Sequence, residues 1–186
     1  MKDTTVNNTL LLDTRKIVIT GVLAAIAILL GVTRLGFIPV PNISGNATIM
    51  HVPAIIGGVM EGPVVGLLVG LIFGIFSWLQ AATPFFKDPI VAILPRIFIG
   101  VTAYYSYAFL KKRNEYVAIV VAGVVGTLTN TILVLGAIVL RGYLPVEALI
   151  PIIPQAIAEV IIAVVITVAV VTGWKRIERG SGKSSV

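Results

Sequence analysis

The side chains with the most chemistry to offer lie in hydrophobic surroundings. Arg96 interrupts the apolar run DPIVAILPRIFIG at residues 88–100, and Pro95, just before it, leaves a helix carbonyl without its usual N–H partner. A guanidinium in hydrocarbon is costly, so Arg96 must face a bundle interior or a wet cavity and find a partner there. Gln155 and Glu159 stand four residues apart in another apolar run and share a helix face. Asn130 sits near the middle of a third run, among Thr127, Thr129 and Thr131, while His51, Trp78 and Gln80 lie near the ends of two more. Recognition of a small polar ligand is the chemistry this set suggests. Arg96 and Glu159 can instead neutralise each other, although one member of such a pair can still be shared with a bound group. His51 can be a packed or hydrogen-bonded residue, Asn130 an interhelical clamp and Trp78 an interfacial anchor.

Composition says what carries these residues. Of 186 residues 58% are hydrophobic and 12% charged, and mean hydropathy is +1.05, outside the range of soluble domains. The expectation is one all-α integral membrane domain over residues 1–186, embedded in the lipid bilayer, with spans near 17–32, 47–60, 63–82, 89–110, 116–140 and 148–174. Asp3 and Asp13 ahead of the first run argue for an uncleaved first helix over a signal peptide. With six spans and both termini cytoplasmic, Lys2, Arg15, Lys16, Lys111, Lys112, Arg113, Lys175, Arg176, Arg179 and Lys183 fall inside, and only Arg34, Lys87 and Arg141 outside. That is the positive-inside pattern, and merging the short second span with the third would break it.

Several function classes lose support. There is no cysteine and a single histidine, so neither a thiolate nor a multi-histidine metal centre can form, and no cofactor site is visible. Neither HExxH nor GxSxG occurs, which leaves no catalytic residue to name and no sign of an enzyme. The tail Gly180-Ser181-Gly182-Lys183-Ser184 ends like a phosphate-binding loop, but Ile177 stands where the first glycine belongs. The net charge of +6 sits in clusters at span ends and gives no nucleic-acid surface. A stand-alone carrier or channel would favour an internal repeat and polar residues through both leaflets, and neither is found.

The elements that position the polar set have their own signals. Gly21/Ala25 and Ala27/Gly31 on the first span have the four-residue spacing that lets another helix approach closely, within this bundle or from outside it. Residues 33–46, rich in Pro, Asn, Ser and Gly, read as a long exposed loop of the kind that often forms a lid. Gly66, Gly70 and Gly74 form a stripe along the third span against which a neighbouring backbone can pack. Arg96 lies seven residues into the fourth span from its outer end, Gln155 the same distance into the sixth, and Glu159 one turn deeper. The polar groups therefore gather toward one leaflet.

The segments VLAAIAILLG, HVPAIIGGVMEGPVVGLLVGLIFGIFSWLQA, PFFKDPIVAILPRIFIG and AEVIIAVVI resemble, in this order, the substrate-binding S components of energy-coupling factor (ECF) vitamin transporters. The ILPR segment is most like the pantothenate-type group. The resemblance implies six helices in a prokaryotic plasma membrane and no ATPase activity. It implies capture of a small vitamin on the extracellular side and delivery to a transmembrane T subunit with two ATP-binding subunits. It implies a lid at residues 33–46, a pocket drawn from Arg96, Asn130, Gln155, Glu159, His51, Trp78, Gln80 and Asn46, and a docking motif on the first helix. That motif is alanine-xxx-alanine in the family; here Gly21/Ala25 and Ala27/Gly31 each carry one glycine instead. Arginine suits a carboxylate such as pantothenate, whereas full neutralisation by Glu159 would suit another, neutral vitamin or precursor.

Overall fold

The computed structural model describes residues 13–39 and 46–181, with side chains to residue 178. Lys2, Lys183, the Arg179 side chain, residues 40–45 of the expected lid and most of the glycine-serine tail lie outside the described residues. Helix α1 (Thr14–Val32) starts where the Asp13 carboxylate accepts the Lys16 N–H at 2.8 Å, a side-chain N-cap. Two short antiparallel strands follow, β1 (Phe37–Pro39) and β2 (Asn46–Thr48), with Phe37 opposite Thr48 and Pro39 opposite Asn46. Sequence reading placed a helix from residue 47. The chain is instead extended to Thr48, and α2 (Val52–Glu61) begins after His51, with Pro53 in its first turn where a missing N–H costs nothing.

Every residue of α2 from Val52 to Val59 is buried, as expected for a helix apolar on all faces. The chain then breaks at Gly62, whose φ of 104° suits glycine alone, and Pro63 opens α3 (Pro63–Leu79). A 3-10 turn (Pro84–Lys87) leads to the single-turn α4 (Pro89–Ala92), which Asp88 caps through the Ile90 N–H at 2.9 Å. Helices α5 (Leu94–Leu110), α6 (Glu115–Leu140) and α7 (Ile153–Ser181) complete the bundle, with a second 3-10 turn (Val146–Ile152) ahead of α7.

Among the described residues four segments are long and apolar enough to cross a membrane: Thr14–Val32, Pro89–Leu110, Glu115–Leu140 and Val146–Glu178. The other two apolar helices, α2 and α3, are shorter, and α2 alone reaches only about 15 Å, half a hydrocarbon core. The glycine stripe of α3 is a packing device. A Cβ at Gly66 would run into the Gly100 backbone, one at Gly70 into the Arg96 carbonyl, and one at Gly74 into the Ile93 backbone. The stripe thus presses α3 against the α4–α5 junction and sets the depth of the Arg96 backbone. Ile55, Val65, Val69, Ile99 and Ile119 fill the core around it. Where α1 begins and α7 finishes, Arg15 bridges Glu61 at 2.8 Å and Glu178 at 2.6 Å, and Lys175 pairs with Glu115.

Candidate functional site

Pro95 accounts for how Arg96 is held. In a continuous helix the Val91 carbonyl would accept the N–H of residue 95, which a proline lacks. The helix breaks there into α4 and α5, and Arg96 Nη1 donates to that freed carbonyl at 2.5 Å. The guanidinium carbon lies 5.0 Å from the Phe86 ring centre and 5.7 Å from that of Phe73, both within cation–π range. Arg96 is 5% exposed, and its Nε is buried with no hydrogen-bond partner. Among the described residues no carboxylate pairs with it. The buried Arg96–Glu159 pair, one of the two arrangements the sequence allowed, does not form.

Glu159 is committed elsewhere. Its Oε1 accepts the Thr48 N–H of β2 at 2.7 Å and Gln155 Nε2 at 3.1 Å, and Gln155 Nε2 also reaches the Asn46 carbonyl at 2.6 Å. One face of α7 therefore grips the backbone of the returning strand. Of the residues singled out from the sequence, Asn46, Gln155 and Glu159 come together here, with Asn46 contributing its main chain.

His51 is fully buried, and its Nε2 lies 3.1 Å from Thr127 Oγ1, which in turn donates to the Gly123 carbonyl. Asn130, one turn beyond Thr127 on α6, is 6% exposed and has a buried, unpartnered Oδ1. Arg96 Nε on α5, His51 Nδ1 at the start of α2 and Asn130 Oδ1 on α6 are orphaned polar atoms, as are the hydroxyls of Thr83, Thr131 and Thr167 among the described residues. Buried polar atoms of this kind call for a ligand or water. Trp78 is partly exposed and donates from Nε1 to the Lys87 carbonyl at 3.0 Å, so it ties α3 to the turn carrying Phe86. Gln80, which ends α3, is exposed.

Sequence reasoning passed over Phe73, Phe86 and the cluster around Asp88. Asp88 Oδ2 accepts Arg141 Nε at 2.7 Å and the Tyr143 hydroxyl at 3.3 Å. Burial pushes this carboxyl up, but the hydrogen bonds from Arg141 and the Ile90 N–H outweigh it and hold Asp88 below the usual carboxylate range. The Asp-Pro pair was a legible helix start; the reach to Arg141 was not.

A groove of about 600 Å³ between α6 and α7 is lined by Leu128, Thr131, Leu135, Ile153, Ile157 and neighbouring apolar residues. Thr131 is its one polar lining residue; Arg96, His51, Asn130, Gln155 and Glu159 do not line it, and its exposed isoleucines suit contact with lipid. On the first helix, Gly21 and Ala25 are exposed, with nothing within 4 Å of a Cβ built on Gly21. Ala27 is fully buried, and Gly31 backs onto Phe76 and Met50. The two small-residue pairs therefore face opposite ways.

A bundle of apolar helices, with a buried arginine that no carboxylate pairs among the described residues and a strand pinned across one helix, is the build of a membrane protein with a polar interior. Residues 15–171 match the model of the ECF transporter substrate-specific component, and the chain belongs to that family of multi-pass membrane transport proteins. It is 30% identical, over an alignment of 163 positions, to the pantothenic acid transporter PanT of Lactococcus lactis subsp. cremoris (strain MG1363), covering 72% of this chain and 80% of the relative. Its fold matches that of a solved S component of a bacterial ECF transporter with a TM-score of 0.63 at 19% identity, over 89% of this chain and 96% of the other.

Proposed function

We propose that this chain captures pantothenate on the extracellular side of a prokaryotic plasma membrane and hands it to an ATP-driven module of one T subunit and two ATP-binding subunits. The observation that carries the ligand assignment is Arg96, a buried guanidinium with no carboxylate partner among the described residues. A buried cation of this kind is stabilised by an anion, and pantothenate brings a carboxylate. The PanT relative supports the same choice. Glu159, occupied by Thr48 and Gln155, is not available to neutralise Arg96, which disfavours a neutral vitamin. His51 and Asn130 offer their unpartnered atoms to the hydroxyl and amide groups of the ligand, and the strand held by Gln155 and Glu159 closes over it as a lid.

In this reading the chain crosses the membrane six times, with α2 and α3 as two short crossings and both termini in the cytoplasm beside the basic clusters at Lys111–Arg113 and Lys175–Arg176. Gly21 and Ala25, exposed on α1, present the close-approach surface for the T subunit.

The test is calorimetry on the purified protein. Arg96→Ala is expected to weaken pantothenate binding by about 2–4 kcal/mol, roughly 30- to 1,000-fold, since it removes one partner of a buried charge pair. Unchanged affinity in a folded Arg96→Ala protein would remove Arg96 from the site and the carboxylate argument with it.

A further inference from the structure

Asp88 is a buried carboxylate that ligand capture, as described above, does not use. It is 8% exposed, and its two oxygens do different work. Oδ1 caps α4 through the Ile90 N–H, which an asparagine or serine would do as well. Oδ2 reaches across 53 residues of sequence to Arg141 at the end of α6 and, with it, to Tyr143. A helix cap alone leaves that second set of bonds unexplained.

What flanks Asp88 supplies the explanation. Two of the three groups that hold the Arg96 guanidinium lie within three residues of it: the Phe86 ring two residues before and the Val91 carbonyl three residues after. Both belong to residues 84–92, a 3-10 turn and a single helical turn too short to be rigid alone. Polar side chains hold this segment at two adjoining points, the Lys87 carbonyl by Trp78 and the Asp88 carboxylate by Arg141 and Tyr143. The Asp88–Arg141 pair is the charged one of these ties; together with the apolar packing of Val91, Phe85 and Phe86 on Val134 and Ile138, it joins the segment to α6, the helix that also carries Asn130. At the C-terminal end of α6, Arg141 is further favoured by the helix dipole.

We propose that Asp88 is a positioning residue for ligand capture: clamped by Arg141 and Tyr143, it fixes residues 84–92 and thereby aims the Arg96 guanidinium through the Val91 carbonyl and the Phe86 ring. The inference rests on the reading of Arg96 as the group that meets the ligand's carboxylate. It makes binding depend on an ion pair that need not touch the ligand, and on its geometry more than on its charge.

The experiment uses the full chain in detergent micelles and two variants that break the pair from opposite sides, Asp88→Asn and Arg141→Gln. Asp88→Asn keeps an oxygen for the Ile90 N–H and so leaves the helix cap in place. The first readout needs no ligand: the ¹⁵N resonance of the Arg96 Nε–H, assigned by its loss in Arg96→Lys, is expected to shift or broaden in both variants. The second compares pantothenate with panthenol, its alcohol analogue without the carboxylate. Both variants are expected to lose about tenfold in pantothenate affinity and less than about threefold in panthenol affinity, since only the carboxylate reads the aim of Arg96. An Arg96 resonance that stays put in both variants overturns the proposal, and so does an equal loss for the two ligands. If the resonance responds but the wild-type protein binds neither compound, the pantothenate reading fails while the positioning role of Asp88 stands.

Discussion

Replacing Pro95 by alanine should separate stability from binding. The substitution restores an N–H at the position that a regular helix would bond to the Val91 carbonyl, the oxygen now held by Arg96 Nη1 at 2.5 Å. Backbone and side chain then compete for one acceptor, and the backbone N–H has no entropy of a long side chain to overcome. Removing the buried proline ring gives up packing and unfolded-state constraint, of which the latter is about 0.4–1 kcal/mol, while joining α4 to α5 adds a helical bond that offsets it. Arg96 loses a charge-assisted hydrogen bond of about 1.5–3 kcal/mol. The rings of Phe86 at 5.0 Å and Phe73 at 5.7 Å remain, each contributing about 0.5–1 kcal/mol, too little to hold the guanidinium in one place. The expected result is a thermal midpoint close to wild type together with pantothenate binding weakened by about 10- to 100-fold. Thermal unfolding followed by tryptophan fluorescence and calorimetric titration read the two quantities on the same sample. A Pro95→Ala protein that binds as tightly as wild type would refute the idea that the freed carbonyl orients Arg96.

Glu159→Ala leaves the Thr48 N–H without its acceptor and should speed ligand release by about tenfold or more, while Glu159→Gln, which keeps an acceptor oxygen, should show a smaller increase; stopped-flow release rates that do not change in either variant would end the role of Glu159 as the catch on the strand. Gly70→Ala places a methyl group against the Arg96 carbonyl and should lower stability by about 1–3 kcal/mol, whereas Gly136→Ala, with open space around its Cβ, should not; the comparison is made by thermal unfolding. Ala25→Leu on the exposed face of α1 should block uptake in cells that carry the energising subunits while calorimetric binding persists, and Ala27→Leu, fully buried, should instead lose folded protein. Normal uptake by Ala25→Leu would move the docking surface off α1.

What could be read from the sequence was local. Pro95 announced an unpaired carbonyl and Arg96 a need for a partner, and the two needs are met by each other within five residues. The glycine stripe on α3 and the shared face of Gln155 and Glu159 follow from helical spacing alone. The strands β1 and β2 did not show, because three-residue strands among prolines and asparagines carry no alternation to detect. The partner of Glu159 was equally hidden: it is a backbone N–H 111 residues away, and every residue but proline has one. Asp88 and Arg141 lay in separate loops, Arg141 serving only as a topology mark, since no spacing rule connects the end of one helix with the start of another.

The aromatic supports of Arg96 show why a buried charge is the hardest feature to read from a membrane sequence. A search for its partner looks for a carboxylate, and Glu159 was the obvious one. The chain places two phenylalanines and a carbonyl there instead, groups that look like ordinary apolar residues in any hydropathy count. Such partners hold the guanidinium without cancelling its charge. A carboxylate from within the chain would have made the site stable and closed to an anion, since a second carboxylate must displace the first. Supports that are polarisable but uncharged leave the cation's demand for an anion to be met from outside. In the proposed reading, these uncharged supports are what leaves Arg96 able to take a ligand's carboxylate.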